Sequence, residues 1–133
     1  MVYVTRIEHF NSAHRVFNPE WDNQKNFEVF GKCSNENWHG HNYVLEITVK
    51  GESDPVTGFV MNAKKISTIV LEKVVDKVDH KNLNLDVDFM KGVQPSTENF
   101  VKAIWSELKP HISQLHSLKL QETPKIYAEY YGE

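Results

Sequence analysis

A two-residue alternation of apolar and polar side chains is the clearest pattern in the chain. It predicts β-strands, because successive side chains of a strand point to opposite faces of the sheet. Four stretches show this alternation: 2–14, 39–50, 116–122 and 125–131. In the second stretch, one face carries only apolar residues, which predicts that this face is buried: Tyr43, Leu45, Ile47 and Val49.

The segments that follow the first two stretches are less regular. In 51–61, Pro55 and Gly58 favour a hairpin turn, and Phe59–Met61 is predicted to begin a further strand. The segment 18–37 is polar and rich in turn residues, so no regular element is predicted there. Structureless loops of about 20 residues are uncommon in compact domains, and they are usually functional or disordered.

Apolar residues at helical spacing predict two helices, at about 63–78 and about 97–109. Ser96 is a suitable N-cap for the second helix, and Pro110 ends it. The order of elements predicts an α+β fold with both helices on one face of an antiparallel sheet. So few strands leave open edges, and pairing with another subunit is one way to cover them.

The composition is that of one soluble domain of 133 residues, with 40% hydrophobic and 25% charged residues. A net charge of −3 gives no indication of nucleic-acid or anionic-membrane binding. No apolar run has the length of a membrane span, and the first residues alternate like a strand rather than a signal peptide. The single cysteine, Cys33, excludes internal disulfides and favours a reducing compartment, so a cytoplasmic location is expected.

Two histidines extend the buried row of the 39–50 strand, because His39 and His41 share its face. Such a pair is a natural chelate for zinc, which takes imidazole nitrogens and has three protein ligands in catalytic sites. The alternative is a pair of core histidines bonded to backbone carbonyls. The spacing leaves the third ligand open, although His14 is favoured because it ends the inward row of the first strand. The other candidates are His9, His80, His111 and His116.

Other residues suit acid–base chemistry or ligand binding. Cys33 lies in a polar loop beside Lys32, where a lowered thiol pKa is possible, although a lone cysteine is usually a small buried hydrophobe. Asp79 and His80 are either an acid–base pair or a solvated pair. Glu122 continues the apolar row of its strand and needs a partner, either a basic side chain or a planar heterocycle that offers two N–H groups.

Six motifs in this order and spacing resemble the 6-pyruvoyltetrahydropterin synthase family over essentially the whole chain: FNSAHR, GKCSNENWHGHNY, DPVTGFVMN, DHKNLN, PSTEN and LQET. The resemblance implies that His14, His39 and His41 bind zinc. It also implies that Cys33 is the catalytic base and that Asp79 and His80 assist it. Glu122 matches the residue that anchors the pterin ring, and the matching pterin-pocket segment contains Ser96, Thr97 and Glu98. Glu98 is also simply a first-turn acid of the predicted helix, favoured by the helix dipole.

The resemblance further implies the tunnelling fold, in which trimers close their sheets into a barrel and two trimers form a homohexamer with active sites between subunits. The implied substrate is 7,8-dihydroneopterin triphosphate. Elimination of triphosphate gives 6-pyruvoyltetrahydropterin in tetrahydrobiopterin synthesis, with zinc as Lewis acid and no external redox cofactor. The basic residues that bind the triphosphate are not identified, and Arg15, Lys25 and Lys32 are candidates.

Two features separate this chain from other members and branches of that family. Animal members continue the late motif as Glu-Thr-Asp-Asn-Asn, whereas Pro124 and Lys125 follow it here, which affects the predicted pocket edge after Glu122. A bacterial branch, which forms 6-carboxytetrahydropterin and acetaldehyde for queuosine synthesis, often has three residues between the cysteine and His-Gly-His. Here the spacing is five, which favours the pyruvoyl product.

Two further alternatives are disfavoured. A third branch of the family carries glutamate at the position of Cys33, which this chain does not. A zinc-stabilised pterin-binding module without catalysis is a non-enzyme alternative. It is disfavoured because structural zinc sites have four protein ligands, whereas three candidates match here.

Overall fold

A computed structural model describes all residues, 1–133. Five strands are present: β1 (Val2–His14), β2 (His39–Gly51), β3 (Lys81–Asn82), β4 (Leu115–Thr123) and β5 (Ile126–Tyr130). The α-helices are α1 (Asn23–Phe30), α2 (Ala63–Val70), α3 (Asp76–Val78) and α4 (Thr97–Leu108). A π-helical segment, Leu71–Val75, joins α2 to α3. The prediction of one helix over 63–78 is therefore correct in extent, although its middle is wound more widely than an α-helix.

The strands form one sheet in the order β3-β1-β2-β4-β5. All pairings are antiparallel except that of the short β3, which runs parallel to β1. β1 and β2 are paired without interruption from Val2 opposite Gly51 to His14 opposite His39. This continuous register brings the ends of both strands to one corner of the sheet. The predicted α+β fold is confirmed.

The helices cover one face of the sheet, and the core lies between the two layers. Each strand of the β1–β2 pair turns every second side chain inward, as the alternation predicts. The inward side chains of β2 pack against apolar side chains of α2 and α4, and the larger of these residues are fully buried: Tyr43, Leu45, Ile47, Ile66, Phe100 and Ile104. The opposite face has no helical cover, so Tyr3 and Ile7 remain half exposed.

The predicted strand at 59–61 is wrong, because local hydrogen bonds satisfy this segment without a neighbouring strand. The Asp54 carboxylate accepts hydrogen bonds from the backbone of Val56 and Thr57, which closes a turn. The side-chain amide of Gln114 then donates to the carbonyl oxygen of Val60. The carbonyl oxygen of Val60 is thus paired with a side chain rather than with a neighbouring strand, and the chain continues into α2.

The prediction of no regular element in 18–37 is also wrong, because α1 lies within this segment. α1 has no apolar stripe and leaves Phe27 exposed, so periodicity does not reveal it. Asp22 caps the helix by accepting from the backbone N–H of Lys25. The buried amide of Asn26 makes hydrogen bonds to the backbone of residues 18, 21 and 22, which fold the chain back onto the helix.

α4 begins and ends where the sequence predicts. The Ser96 side chain accepts a hydrogen bond from the backbone N–H of Asn99, as an N-cap does. The helix ends at Leu108, two residues before Pro110. None of the helices has the length and apolar character that crossing a membrane requires.

Candidate active site

Three imidazoles meet at the corner where β1 ends and β2 begins. His14 and His39 are directly opposite each other in the β1–β2 register, and His41 lies opposite Ser12 on the same face. The three ring centroids lie 4.5 to 5.0 Å apart. One nitrogen of each ring lies within 4.8 Å of the others. The continuous strand pairing thus brings together two histidines that are 25 positions apart in sequence.

Four of the six imidazole nitrogens are buried and have no hydrogen-bond partner. A fifth, Nδ1 of His14, lies 2.7 Å from the Pro95 carbonyl oxygen. Nε2 of His14 and of His41 and both ring nitrogens of His39 are buried without a partner. Burial lowers the pKa of His14 from 6.5 to about 4 and also lowers the pKa of His39.

Neutral imidazoles with free nitrogens are the form that binds a transition metal. The hydrogen bond to Pro95 holds the proton of His14 on Nδ1 and leaves Nε2 available, as an outer partner of a metal-binding histidine does. These residues therefore fit zinc, as the sequence predicts for His14, His39 and His41.

Glu122 lies beside the histidines. It is near the end of β4, and its Oε1 is 3.4 Å from Nε2 of His14 and 3.7 Å from Nε2 of His41. Its side chain is mostly buried, with 14% exposed. No lysine or arginine forms an ion pair with it, so the predicted alternative of a structural bridge to a basic side chain is not what is found. The carboxylate is available to a ligand.

Cys33 lies on a short 3-10 turn, Gly31–Ser34, which follows α1. Its carbonyl oxygen accepts a hydrogen bond from the backbone N–H of Val16, and Nε of Arg15 donates to the carbonyl oxygen of Ser34. The turn is thereby attached to the chain that leaves β1 after His14. Burial raises the pKa of the Cys33 thiol, and the charge of Glu122 raises it further. The sequence suggested a lowered pKa for this thiol, and that prediction is wrong for the chain without bound metal or substrate.

Asp79 and His80 lie beside β1, where both are hydrogen-bonded to the backbone of Asn11. The backbone N–H of His80 donates to the carbonyl oxygen of Asn11, and the Asp79 carboxylate accepts from the backbone N–H of Asn11. This bond, followed by the interaction with His80, lowers the pKa of Asp79. Nδ1 of His80 is 3.0 Å from the Asp79 carboxylate, so the two residues form the predicted pair. No hydrogen bond or ion pair links the pair to Cys33 within the chain.

The backbone at His80 supports a functional role for this pair. His80 has a positive φ of 59°, which is uncommon for a residue other than glycine. Its side chain remains 76% exposed. It lines an open polar depression of about 560 Å³ whose walls include Asn42 and Asp86. Strained, exposed residues of this kind are often found at functional sites.

The three residues of the predicted pterin-pocket segment differ in their burial and in their contacts. Ser96 caps α4, Thr97 is buried with 4% exposure, and Glu98 is exposed in the first turn. The helix cap and the first-turn acid account for Ser96 and Glu98 within the chain. This segment follows Pro95, whose carbonyl oxygen contacts His14, so it does lie close to the histidines.

The candidate triphosphate ligands are partly engaged with other side chains. The Arg15 guanidinium lies 3.7 Å from the centre of the Phe17 ring, in addition to its bond to Ser34. The Lys25 ammonium is 4.3 Å from the centre of the Trp21 ring. Lys32 is exposed. Because its guanidinium is bonded to Ser34, Arg15 stabilises the turn Gly31–Ser34 that carries Cys33, called the thiol turn below.

Sequence reasoning missed two contributors to this site, Gln94 and Tyr43. The Gln94 side chain makes two hydrogen bonds to the backbone of Phe17, and Gln94 directly precedes Pro95. No local pattern marks it, because its partner is distant in sequence. Tyr43 was predicted as core, and its ring is buried, but its hydroxyl has no partner. Its position two residues after His41, on the same strand face, is the sequence feature that indicates its closeness to the histidines.

Comparison with known proteins agrees with this arrangement. The model of the family described as 6-pyruvoyl tetrahydropterin synthase matches residues 3–133. A 6-pyruvoyl tetrahydrobiopterin synthase of Dictyostelium discoideum is 41% identical over 133 residues, which cover 99% of this chain and 97% of that protein. The human protein of the same name is 38% identical over 132 residues, covering 98% of this chain and 91% of that protein.

A solved structure of the same family has the same fold as this chain. The 6-pyruvoyl tetrahydropterin synthase of Caenorhabditis elegans superposes with a TM-score of 0.91 at 37% identity, over 99% of this chain and 96% of that one. The matched region includes every strand and helix that carries a residue of the site.

Proposed function

Because this chain belongs to the 6-pyruvoyl tetrahydropterin synthase family, we propose that it is a lyase that converts 7,8-dihydroneopterin triphosphate into 6-pyruvoyltetrahydropterin. The reaction eliminates triphosphate, and the ring is reduced as the side chain is oxidised, so no external redox cofactor is needed. The observation that carries the proposal is the trio of histidines, with four buried and unpaired ring nitrogens and a mostly buried carboxylate beside them.

We propose zinc as the cofactor, with His14, His39 and His41 as its ligands. When bound, zinc supplies a Lewis acid and a positive charge beside the substrate side chain and the thiol. Three protein ligands are typical of a catalytic zinc site, which keeps one position for water or substrate. The unpaired imidazole nitrogens and the lowered pKa values of His14 and His39 support this assignment.

The remaining residues divide between binding and proton transfer. Glu122 accepts two hydrogen bonds from the amino group and ring N–H of the pterin, with the 96–98 segment beside it. Cys33, as thiolate, removes a proton from a carbon of the substrate side chain. Asp79 and His80 relay that proton, because the lowered pKa of Asp79 keeps it ionised as a partner for the imidazole.

The acid–base pair reaches the thiol in an oligomer. The chain has the tunnelling fold of its family, with one sheet face uncovered, and no hydrogen bond joins the Asp79–His80 pair to Cys33 within one chain. We propose a homohexamer of two stacked trimers in which the Asp79–His80 pair of one subunit completes the Cys33 site of another. The uncovered face and the half-exposed side chains of Tyr3 and Ile7 support this assembly.

The first test is turnover of 7,8-dihydroneopterin triphosphate by zinc-loaded protein, with and without a chelator, with the product identified by mass spectrometry. We expect a chelator-sensitive 6-pyruvoyl product. A 6-carboxy product with acetaldehyde would assign the chain to the 6-carboxytetrahydropterin branch, which serves queuosine synthesis. Absence of turnover with a tightly bound pterin would instead support a binding module.

The second test separates catalysis from structure by replacing Cys33 with alanine. We expect Cys33→Ala to lose turnover while zinc content and thermal stability are retained, because the thiol ligates nothing in the chain. Glu36→Ala, an exposed residue close to the same turn that has no assigned role in the site, is the matched control and should retain turnover. Full activity of Cys33→Ala would exclude the thiol as the base.

A further inference from the structure

The hydroxyl group of Tyr43 has no partner in the chain, although the residue is only 1% exposed. The ring itself is well packed. It is stacked on Phe10 with ring centroids 5.1 Å apart, and the edge of Phe100 lies against it at 5.4 Å. Phenylalanine would make the same apolar contacts without burying an oxygen. An unpaired buried hydroxyl destabilises a folded chain, so its presence calls for an explanation.

The location of this hydroxyl group connects it with the histidines. Tyr43 follows His41 by two residues on the inward face of β2, and its ring centroid is 5.9 Å from that of His41 and 6.5 Å from that of His14. The chain has five buried side-chain nitrogen or oxygen atoms without a partner, and four of them are imidazole nitrogens of the trio. The fifth is the Tyr43 oxygen. All of the unpaired buried side-chain polar atoms therefore belong to one site.

No side chain or backbone group of the chain forms a hydrogen bond with the Tyr43 hydroxyl. The Glu122 oxygen lies 3.4 and 3.7 Å from His14 and His41, and it accepts nothing from Tyr43. The Cys33 sulfur likewise makes no hydrogen bond with the hydroxyl. We therefore expect the hydrogen-bond partner of the Tyr43 hydroxyl to belong to the group that binds to the histidines. A phenol is neutral at physiological pH and donates its proton to oxygen.

We propose that Tyr43 is a positioning residue whose hydroxyl donates a hydrogen bond to the non-protein oxygen ligand that completes the zinc site of His14, His39 and His41. This inference rests on the zinc assignment in the proposed function. Catalytic zinc with three protein ligands keeps one position for an oxygen ligand, either water or a substrate hydroxyl. Hydrogen bonds from surrounding groups orient such ligands and contribute to metal affinity.

The test replaces Tyr43 with phenylalanine, which removes one oxygen atom and preserves the ring. After chelation, we expect Tyr43→Phe to unfold at a higher temperature than the wild type, because an unpaired buried hydroxyl is gone. We also expect the zinc affinity of Tyr43→Phe to be lower than that of the wild type by about 10-fold or more. Loss of a group that hydrogen-bonds a metal ligand typically lowers metal affinity by at least this factor. In the cobalt-substituted protein, the visible absorption bands should shift. Tyr43→Met, which also lacks the hydroxyl, should show the same losses.

Tyr130→Phe is the matched control, because the hydroxyl of Tyr130 donates only to the exposed carbonyl oxygen of Glu133. It should leave zinc affinity and the cobalt spectrum unchanged. If the wild type binds zinc and Tyr43→Phe has the same affinity and cobalt spectrum, the inference about Tyr43 is wrong and the zinc assignment stands. If the wild type binds no zinc, the zinc assignment itself fails, and the inference fails with it.

Discussion

At the scale of single residues, Glu122 connects the histidine trio with the thiol. Its carboxylate raises the pKa of Cys33, in addition to the larger effect of burial. Glu122→Gln removes this charge and preserves the shape of the side chain. We therefore expect the pKa of Cys33 to fall toward its ordinary value.

The rate of alkylation of Cys33 by iodoacetamide, measured against pH in chelated protein, reports this change directly. The rate profile should move to lower pH in Glu122→Gln. Glu36→Gln, an exposed acid near the thiol turn, is the control and should leave the profile in place. An unchanged profile in Glu122→Gln would mean that burial alone sets the thiol pKa.

The buried state of His14 predicts a pH dependence of stability for chelated protein. Its pKa is about 4 in the folded chain and 6.5 when unperturbed, so the unfolded chain binds the proton more readily between these values. Stability therefore decreases as pH falls from 6.5 toward 4, by up to about 3 kcal/mol from this group. The lowered pKa of His39 acts in the same direction.

Urea unfolding between pH 7 and about 5.5 measures the upper part of this dependence, above the range in which ordinary carboxylates titrate. His14→Asn should show a smaller slope of unfolding free energy against pH. His111→Asn replaces an exposed histidine and should preserve the slope. Equal slopes in all three proteins would contradict the burial of a neutral His14.

At the scale of elements, two side-chain amides hold the chain that leaves β1. Asn84 makes two hydrogen bonds to the backbone of Arg15, and Gln94 makes two to the backbone of Phe17. Only Gln94 adjoins Pro95, whose carbonyl oxygen orients His14. We expect Gln94→Ala to weaken zinc binding by about 10-fold, because the partner of a metal ligand is displaced.

Asn84→Ala is the matched variant, because it loses the same kind of contact without touching Pro95. Both variants should lose thermal stability, and only Gln94→Ala should also lose zinc affinity in a competition titration. A loss of zinc affinity in both would show that general loosening of the 15–18 segment, rather than the orientation of His14, is responsible.

The elements also show what the sequence could predict. Strict alternation and the helical stripes predicted β1, β2, β4, β5 and α4, and strand parity favoured His14 among the candidate ligands. α1 and the loop before α2 were mispredicted, because the amides of Asn26 and Gln114 stabilise them and side-chain amide bonds have no periodic signature. The partner of His14, Pro95, lies 81 positions away, so no local pattern reveals it.

At the scale of the whole molecule, the proposed shared site predicts complementation between inactive subunits. Cys33→Ala and His80→Ala should each be inactive alone. If the thiol and the acid–base pair come from different subunits, randomly mixed hexamers should recover about a quarter of wild-type activity, since each site needs one intact residue from each of two subunits.

Co-expression of differently tagged subunits provides the mixed hexamers, and turnover of 7,8-dihydroneopterin triphosphate measures recovery. The control pair is Cys33→Ala with His39→Ala, which alters residues of the same half of the site and should show no recovery. No recovery in the Cys33→Ala and His80→Ala pair would mean that one subunit supplies the complete site.

The attachment of the thiol turn has a consequence for how such sites diverge in evolution. The histidines are positioned by the β1–β2 ladder, whereas Cys33 is held by Val16 and Arg15 at the exit of β1. Insertions or deletions between Ser34 and His39 can therefore accumulate without moving the imidazoles. A lineage is free to remodel or replace its proton-abstracting group while it inherits the histidine trio intact.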